Sequence, residues 1–358
     1  MTATRRVSQL LFTTVLTIAA LPGGVSSGRA QEAPPEACGE VLTIPEVNGY
    51  PALGSLRVVN DHGLAGGTSF YAVAALWDSR RAELTVIGAL SGETGQAGNY
   101  RFYSSVEGLN ARGEAVGTSI KTDRTYAGFY WSRATGLREI EGSSDAHAIN
   151  DRGLVVGSGV IEGITRPITW SRDDGLEALD LLPGCASGSA IDVNEGGVIL
   201  GHLWCAREGQ EPPGEQRTVV WYPHSGPYDL GTFRGLRPVG IALDALGRVT
   251  ASATDAEGAV HALRWHPFTG FVEVAVFPAG VRIGGTNDAG TLVGGYAVPG
   301  TNFSRSFRYT RSEGFRDLGI DLGQFSGGAA DINRSGLIVG SYGPNSRSTG
   351  GYVWKPCR

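Results

Sequence analysis

Past the first forty residues, short apolar runs alternate with polar turns, and no stretch carries the three-to-four spacing of an amphipathic helix. One unit shows the rule. Ala146-His147-Ala148-Ile149-Asn150 leads through Asp151-Arg152-Gly153 to Leu154-Val155-Val156-Gly157, then Pro167-Ile168-Thr169-Trp170, then Gly175-Leu176-Glu177-Ala178-Leu179. The pattern predicts strand, tight turn, strand, longer loop, strand, turn, strand. An Asn side chain can bond the turn backbone, and Gly three residues on supplies positive φ. Together they describe a type I turn with a glycine bulge, so the first two strands form a hairpin.

The unit recurs seven times. Its anchors are Asn60, Asn110, Asn150, Asn194, Asp244, Asn287 and Asn333, followed at +3 by Gly63, Gly113, Gly153, Gly197, Gly247, Gly290 and Gly336. At +7 stand Gly67, Gly117, Gly157, Gly201, Gly294 and Gly340, with Ala251 the one departure. A glycine inside a strand marks close approach of another backbone, here expected from sheets crowding toward an axis. The third strand ends in an aromatic each time, Trp77, Trp131, Trp170, Trp221, Trp265, Tyr309 and Trp354, which reads as packing between adjacent units. Anchors spaced 40 to 50 residues apart, with four strands per unit, match the size of propeller blades, whereas β-solenoid coils are usually shorter. The expected fold is all-β, a seven-bladed β-propeller closed by N-terminal strand exchange.

The exchange follows from what the seventh unit lacks. It stops after Tyr352-Val353-Trp354-Lys355-Pro356-Cys357 with no fourth strand, while Cys38-Gly39-Glu40-Val41-Leu42-Thr43-Ile44 precedes the first unit where a fourth strand would sit. Val41 to Ile44 should therefore pair antiparallel with Tyr352 to Trp354, closing the open edge. Cys38 and Cys357 then meet and form a disulfide across nearly the whole chain. Cys185 and Cys205 flank the Asn194 turn and should bond across its hairpin.

Units such as Ala330-Asp331-Ile332-Asn333-Arg334-Ser335-Gly336-Leu337-Ile338-Val339-Gly340 resemble the HAF repeat of bacterial extracellular proteins. The resemblance covers essentially the whole chain after the leader, and is weakest in unit five, where Asp244 and Ala251 replace Asn and Gly. It implies an exported repeat protein and brings no catalytic residues with it.

Export is also written at the N-terminus. Arg5 and Arg6 precede an apolar stretch from Leu10 to Leu21, and Gly28 and Ala30 suit cleavage before Gln31. The expected organisation is a signal peptide over 1–30, a short linker over 31–37 and the propeller over 38–358, in a secreted or periplasmic protein. The apolar run is too short for a membrane span. The chain has 30 Lys and Arg against 35 Asp and Glu, a formal charge of −5; losing Arg5, Arg6 and Arg29 takes it to −8. With only Lys121 and Lys355 as lysines, and arginines spread through every unit, no nucleic-acid partner is expected. The partner is instead an extracellular glycan or protein, bound by a monomer without a cofactor.

Candidate chemistry is sparse. The six histidines, His62, His147, His202, His224, His261 and His266, show no zinc-ligand spacing, and no metal is expected. A Gly-x-Ser-x-Gly run, Gly24 to Gly28, lies inside the leader and cannot form a nucleophile elbow. One departure from the repeat stands out. Three residues before the anchor, units four to seven carry Ile191, Ile241, Gly284 and Ala330, whereas units one to three carry Arg57, Glu107 and His147. In a closed ring these three come to a common level in one sector of the channel. They are read as a compensating ion-pair cluster by default, and as candidate binding residues otherwise. The long loops at Gly88 to Tyr100 and Arg207 to Gln216 are further places for ligand contacts. The leading function is a binding scaffold. The second reading is a hydrolase or lyase acting on a glycan at the channel mouth, with Glu107 and His147 as its candidate catalytic pair.

Overall fold

The computed structural model describes residues 34–42, 44, 46–47, 50–92, 104–206, 214–320, 325–343 and 350–357. The expected leader lies outside these residues, as does most of the two long loops. The chain from residue 34 forms seven antiparallel four-stranded sheets and a small two-stranded ribbon, and no helix occurs among the described residues. The first strand of every sheet touches the first strands of both neighbouring sheets, so the seven first strands surround a common axis. This is a seven-bladed β-propeller, as the period of the anchors requires.

Blade three runs Ser143–Ile149, Val155–Ile161, Ile164–Ser171 and Gly175–Ala178. Its middle strands are longer than the apolar pattern suggested. They meet at a two-residue turn, Glu162-Gly163, with φ of 53° and 79°, where a longer loop was expected. A turn with both central residues at positive φ matches the strand twist and lets pairing continue to the turn.

Blade seven is built from both ends of the chain. Ser326–Ile332, Ile338–Gly343 and Gly350–Pro356 form its first three strands, and Gly39–Leu42 forms the fourth. Gly39 faces Pro356 and Leu42 faces Val353, so the paired segment begins earlier than the expected Val41 to Ile44. Just beyond it, Cys357 N–H donates to the Cys38 carbonyl and the two cysteines are bonded. Residues ahead of Cys38 do not hang free: Ala37 N–H bonds the Asp317 carbonyl and Asp317 N–H bonds the Pro35 carbonyl, tying the segment to the outer strand of blade six. Cys185 and Cys205 are bonded as directly opposed residues of the blade four hairpin.

The core lies between blades. Trp77 of blade one packs with Val339 and Val353 of blade seven, Trp221 of blade four with Val156 of blade three, and Trp354 of blade seven with Val293 and Leu318 of blade six. Each ring thus fills the seam toward the preceding blade. Trp77, Trp221, Trp265 and Trp354 are buried, which makes them core residues rather than a stacking surface for sugars.

Candidate functional site

Every first strand carries an irregularity in its pairing, and it falls at the same place in all seven blades. The register skips Arg57, Glu107, His147, Ile191, Ile241, Gly284 and Ala330, the residues three before each anchor. These are β-bulge residues, freed from the ladder and able to point where a regular strand would not aim them. The bulge also explains the +7 glycines. A Cβ on Gly117 would lie 1.9 Å from the Ser105 carbonyl oxygen, and one on Gly157 would lie 2.3 Å from that of Asp145. The close approach comes from the bulged strand of the same blade. Crowding by neighbouring sheets, the reason expected from sequence, is not its cause.

The three polar bulge residues do not form one cluster. Arg57 Nη1 contacts Glu107 Oε2 at 3.2 Å across the seam of blades one and two, with side chains 48% and 19% exposed. His147 takes a different partner: its Nε2 lies 3.2 Å from Asp145 Oδ1. Asp145 also accepts the Ser158 N–H and hydroxyl, both at 2.7 Å. Glu107 and His147, paired in the sequence reading, are near neighbours with separate partners. Burial would raise the Asp145 carboxyl, but the His147 and Ser158 hydrogen bonds outweigh it and hold it below its ordinary value. Burial would likewise lower His147, yet the bond and charge of Asp145, helped by Glu107, raise it. His202, one blade on, is driven the other way, down to about 4, by burial, and the nearby His147 adds to the effect. Its Nε2 has no hydrogen-bond partner among the described residues.

The two ends of the channel differ in chemistry. At the anchor end, each Asn side chain does two things: its oxygen caps its own turn, and its amide donates to the anchor carbonyl of the next blade. Asn60 bonds Asn110 O at 2.9 Å, Asn110 bonds Asn150 O at 3.1 Å, and Asn150 bonds Asn194 O at 3.0 Å. The ring continues from Asn194 to Asp244, and from Asn287 to Asn333. It lapses only at Asp244, which has no amide to give. A second tier of carboxylates accepts backbone N–H groups across seams, as Asp151 does from Ala111, Glu195 from Asp151 and Asp61 from Arg334. Deeper still, Asp331 accepts from Val59 N–H of blade one and Asp192 from Leu243 N–H of blade five. Burial pushes both carboxyls up to about 6. A cavity of about 530 Å³ opens here, lined from all seven blades, and Asn60, Asn110, Asn287, Asn333, Asp61, Asp151, Glu195 and Asp288 among its lining groups make bonds between blades.

At the opposite end, where the first strands begin, a second cavity of about 520 Å³ lies between blades six and seven. Its walls are small: the bulge residue Gly284 lines it with Gly295, Gly327, Gly328 and Ala329, whereas the bulge residues of blades one to three carry long side chains. Sequence reading missed Asp145, Ser158, His202 and this cavity. The signal was present: Asp145 and Arg282 stand where other blades carry Ser55, Ser105, Ser189, Val239 and Gly328, five residues before the anchor.

No protein-family model matches the sequence, and neither does any curated protein. Solved structures do match in fold. One is a catalytically inactive virginiamycin B lyase from Staphylococcus aureus with quinupristin, 12% identical, covering 84% of this chain and 94% of that one with a TM-score of 0.54. Another is a streptogramin B lyase, 10% identical, covering 88% and 96%, with a TM-score of 0.52. At these identities the likeness establishes the propeller alone. Among the described residues, no helix is long and apolar enough to cross a membrane. Two disulfides and no free cysteine suit an oxidising compartment.

Proposed function

We propose that this chain is an exported, HAF-type repeat propeller, secreted or periplasmic, that works as a binding scaffold. Its ligand, an extracellular glycan or protein, docks on the ring face where the first strands begin. One observation carries the choice of face. The anchor end spends its amides and carboxylates on bonds between blades, from Asn60 to Asn333, whereas the departures from the repeat collect at the other end: Arg57 with Glu107, Asp145 with His147, and an open cavity. Polar groups that depart from the bonds repeated in every blade, carried on a rigid ring beside an open cavity, are what a ligand face needs. A glycan and protein binding screen of the oxidised protein tests this, repeated with Arg57→Ala and with Arg334→Ala on the anchor face. Loss of a captured ligand with Arg334→Ala alone would refute the choice of face.

The alternative, a hydrolase or lyase acting on a glycan at the channel mouth, draws on the Asp145–His147 pair. An acid that orients a partly exposed imidazole leaves the other ring nitrogen to exchange a proton with a substrate. Turnover of any glycan captured in the screen, abolished by His147→Ala, would favour this reading over a pure scaffold.

A further inference from the structure

The cavity between blades six and seven has a feature that packing does not explain. The cross-strand pair at the top of each blade, just before the bulge, is Ser55 with Thr68, Ser105 with Thr118, Asp145 with Ser158, Ser189 with His202 and Val239 with Ser252 in blades one to five. In blades six and seven it is Arg282 with Gly295 and Gly328 with Ser341. Unlike the +7 glycines, these two have room for a side chain. A Cβ on Gly295 would come no closer than 3.5 Å to any atom, and one on Gly328 would meet only the Gly295 Cα at 4.0 Å. Their missing side chains serve the cavity rather than the fold.

The walls have a definite chemistry. Among the described residues none that lines the cavity is acidic, although the chain as a whole is, and the one charge is Arg282. Among the described residues the exposed Arg282 has no ion-pair partner, unlike Arg57, Arg217, Arg248, Arg308 and Arg334. Ser304, Ser326 and Ser341 also line it; Ser304 Oγ donates to the Gly327 carbonyl and Ser326 Oγ accepts the Ser304 N–H, and each of these two hydroxyls keeps capacity for one more bond. Tyr342 lines the cavity, and Phe325, 42% exposed, stacks on it with ring centroids 6.4 Å apart and an interplanar angle of 28°. A guanidinium without a carboxylate beside it selects one, hydroxyls select a polyol, and the Tyr342 ring offers a flat apolar face. A volume of about 520 Å³ falls in the range of small-ligand sites.

We propose that this cavity binds a saccharide bearing a uronic acid, with Arg282 on the carboxylate, the serine rim on the ring hydroxyls, and Tyr342, backed by Phe325, against the apolar face of the sugar. The proposal rests on the reading of this ring face as the ligand face. It is tested by calorimetric titration of the oxidised protein with a galacturonate trisaccharide and with its methyl ester, which removes the charge and keeps the ring. The acid should bind at least tenfold more tightly than the ester. Arg282→Gln should bring the two within twofold of each other, and Gly328→Val, which fills the cavity from a strand position with space for the side chain, should remove binding of both without lowering the melting temperature. Gly295→Ser serves the same purpose if Gly328→Val fails to fold. No binding of the acid to the unsubstituted protein, or equal binding of acid and ester, overturns the proposal. Binding that survives Arg282→Gln and cavity filling but is lost in Arg57→Ala overturns this cavity while leaving the ligand face standing.

Discussion

The side-chain amide of Asn333 donates to the backbone carbonyl of Asn60 at 2.9 Å, joining the last anchor turn to the first. The same contact is repeated by Asn60, Asn110, Asn150, Asn194 and Asn287, so the residue that shapes each turn also fixes the next blade. Asn suits the position because its short side chain offers both an acceptor to its own turn and a donor to its neighbour. Asn333→Asp keeps the oxygen that accepts Leu337 N–H but places a carboxylate oxygen against the Asn60 carbonyl. It should cost about 1 to 3 kcal/mol, as expected for a buried acceptor left unmet, read as a lower denaturation midpoint. Asp244 tolerates a carboxylate because Arg248 Nε bonds it at 2.6 Å, and the seam it fails to bridge is spanned by Ala245 N–H and Asp288.

Closure can be broken without touching a cysteine. A Cβ on Gly39 would lie 2.0 Å from the buried ring of Trp354, which has no room to yield. Gly39→Ala should therefore displace the fourth strand of blade seven and expose its edge. Hydrogen exchange should show Val353 to Lys355 losing protection while the hairpin of blade four keeps it.

Removing the terminal bond itself acts on the unfolded chain. Cys38→Ser with Cys357→Ser should cost about 2 to 5 kcal/mol, and more than the equivalent change at Cys185 and Cys205, whose loop spans 20 residues against 319. Equal midpoints for the two double variants would show that the seam bonds of Asn333, Asp61 and Asp331 close the ring unaided.

The repeat and its period were legible because turn chemistry is local: an Asn and a Gly three apart announce their hairpin wherever they occur. The displaced strand was legible for a related reason, since a unit with three strands implies a fourth elsewhere. What the Asn amide does was not legible, because its acceptor sits one whole blade away. The bulge was hidden too. The sequence placed Arg57, Glu107 and His147 at equivalent positions, but only the backbone path decides that Arg57 turns to Glu107 while His147 turns back to Asp145 on its own strand. Gly295 and Gly328 looked like the other glycines of the chain, and only the free space around them sets them apart.

Asp192 and Asp331 give the ring an unusual response to acid. Each accepts a backbone N–H across a seam, yet burial raises both carboxyls to about 6, above their unfolded value. Their contribution is fullest below the unfolded pKa and is lost as pH rises through about 6. Between pH 7 and pH 5 these two groups should therefore oppose the usual acid loss of stability. Denaturation midpoints across that window should show a shallower acid decline in the parent protein than in the Asp192→Asn, Asp331→Asn double variant. A parallel decline in both would mean that the carboxyls stay ionised.

The blade one to three sector should behave as two pairs, coupled only weakly through the charges of Glu107 and Arg57 on His147. Arg57 is half-exposed and Glu107 keeps some contact with solvent, so Glu107→Ala should change stability by less than about 1 kcal/mol. Asp145→Ala should cost about 1 to 3 kcal/mol, because it strips the Ser158 N–H and hydroxyl of their acceptor. The imidazole gives a finer readout. His147 is raised above its ordinary value chiefly against burial by Asp145, so its share of stability is present at acid pH and fades as pH rises through the folded value. Asp145→Asn preserves the shape of the side chain and removes its charge, and should lower the His147 titration midpoint in a proton NMR experiment. Glu107→Gln should lower it by less. A larger drop with Glu107→Gln would show that the imidazolium belongs to Glu107 after all and restore the pairing across the blade two to three seam.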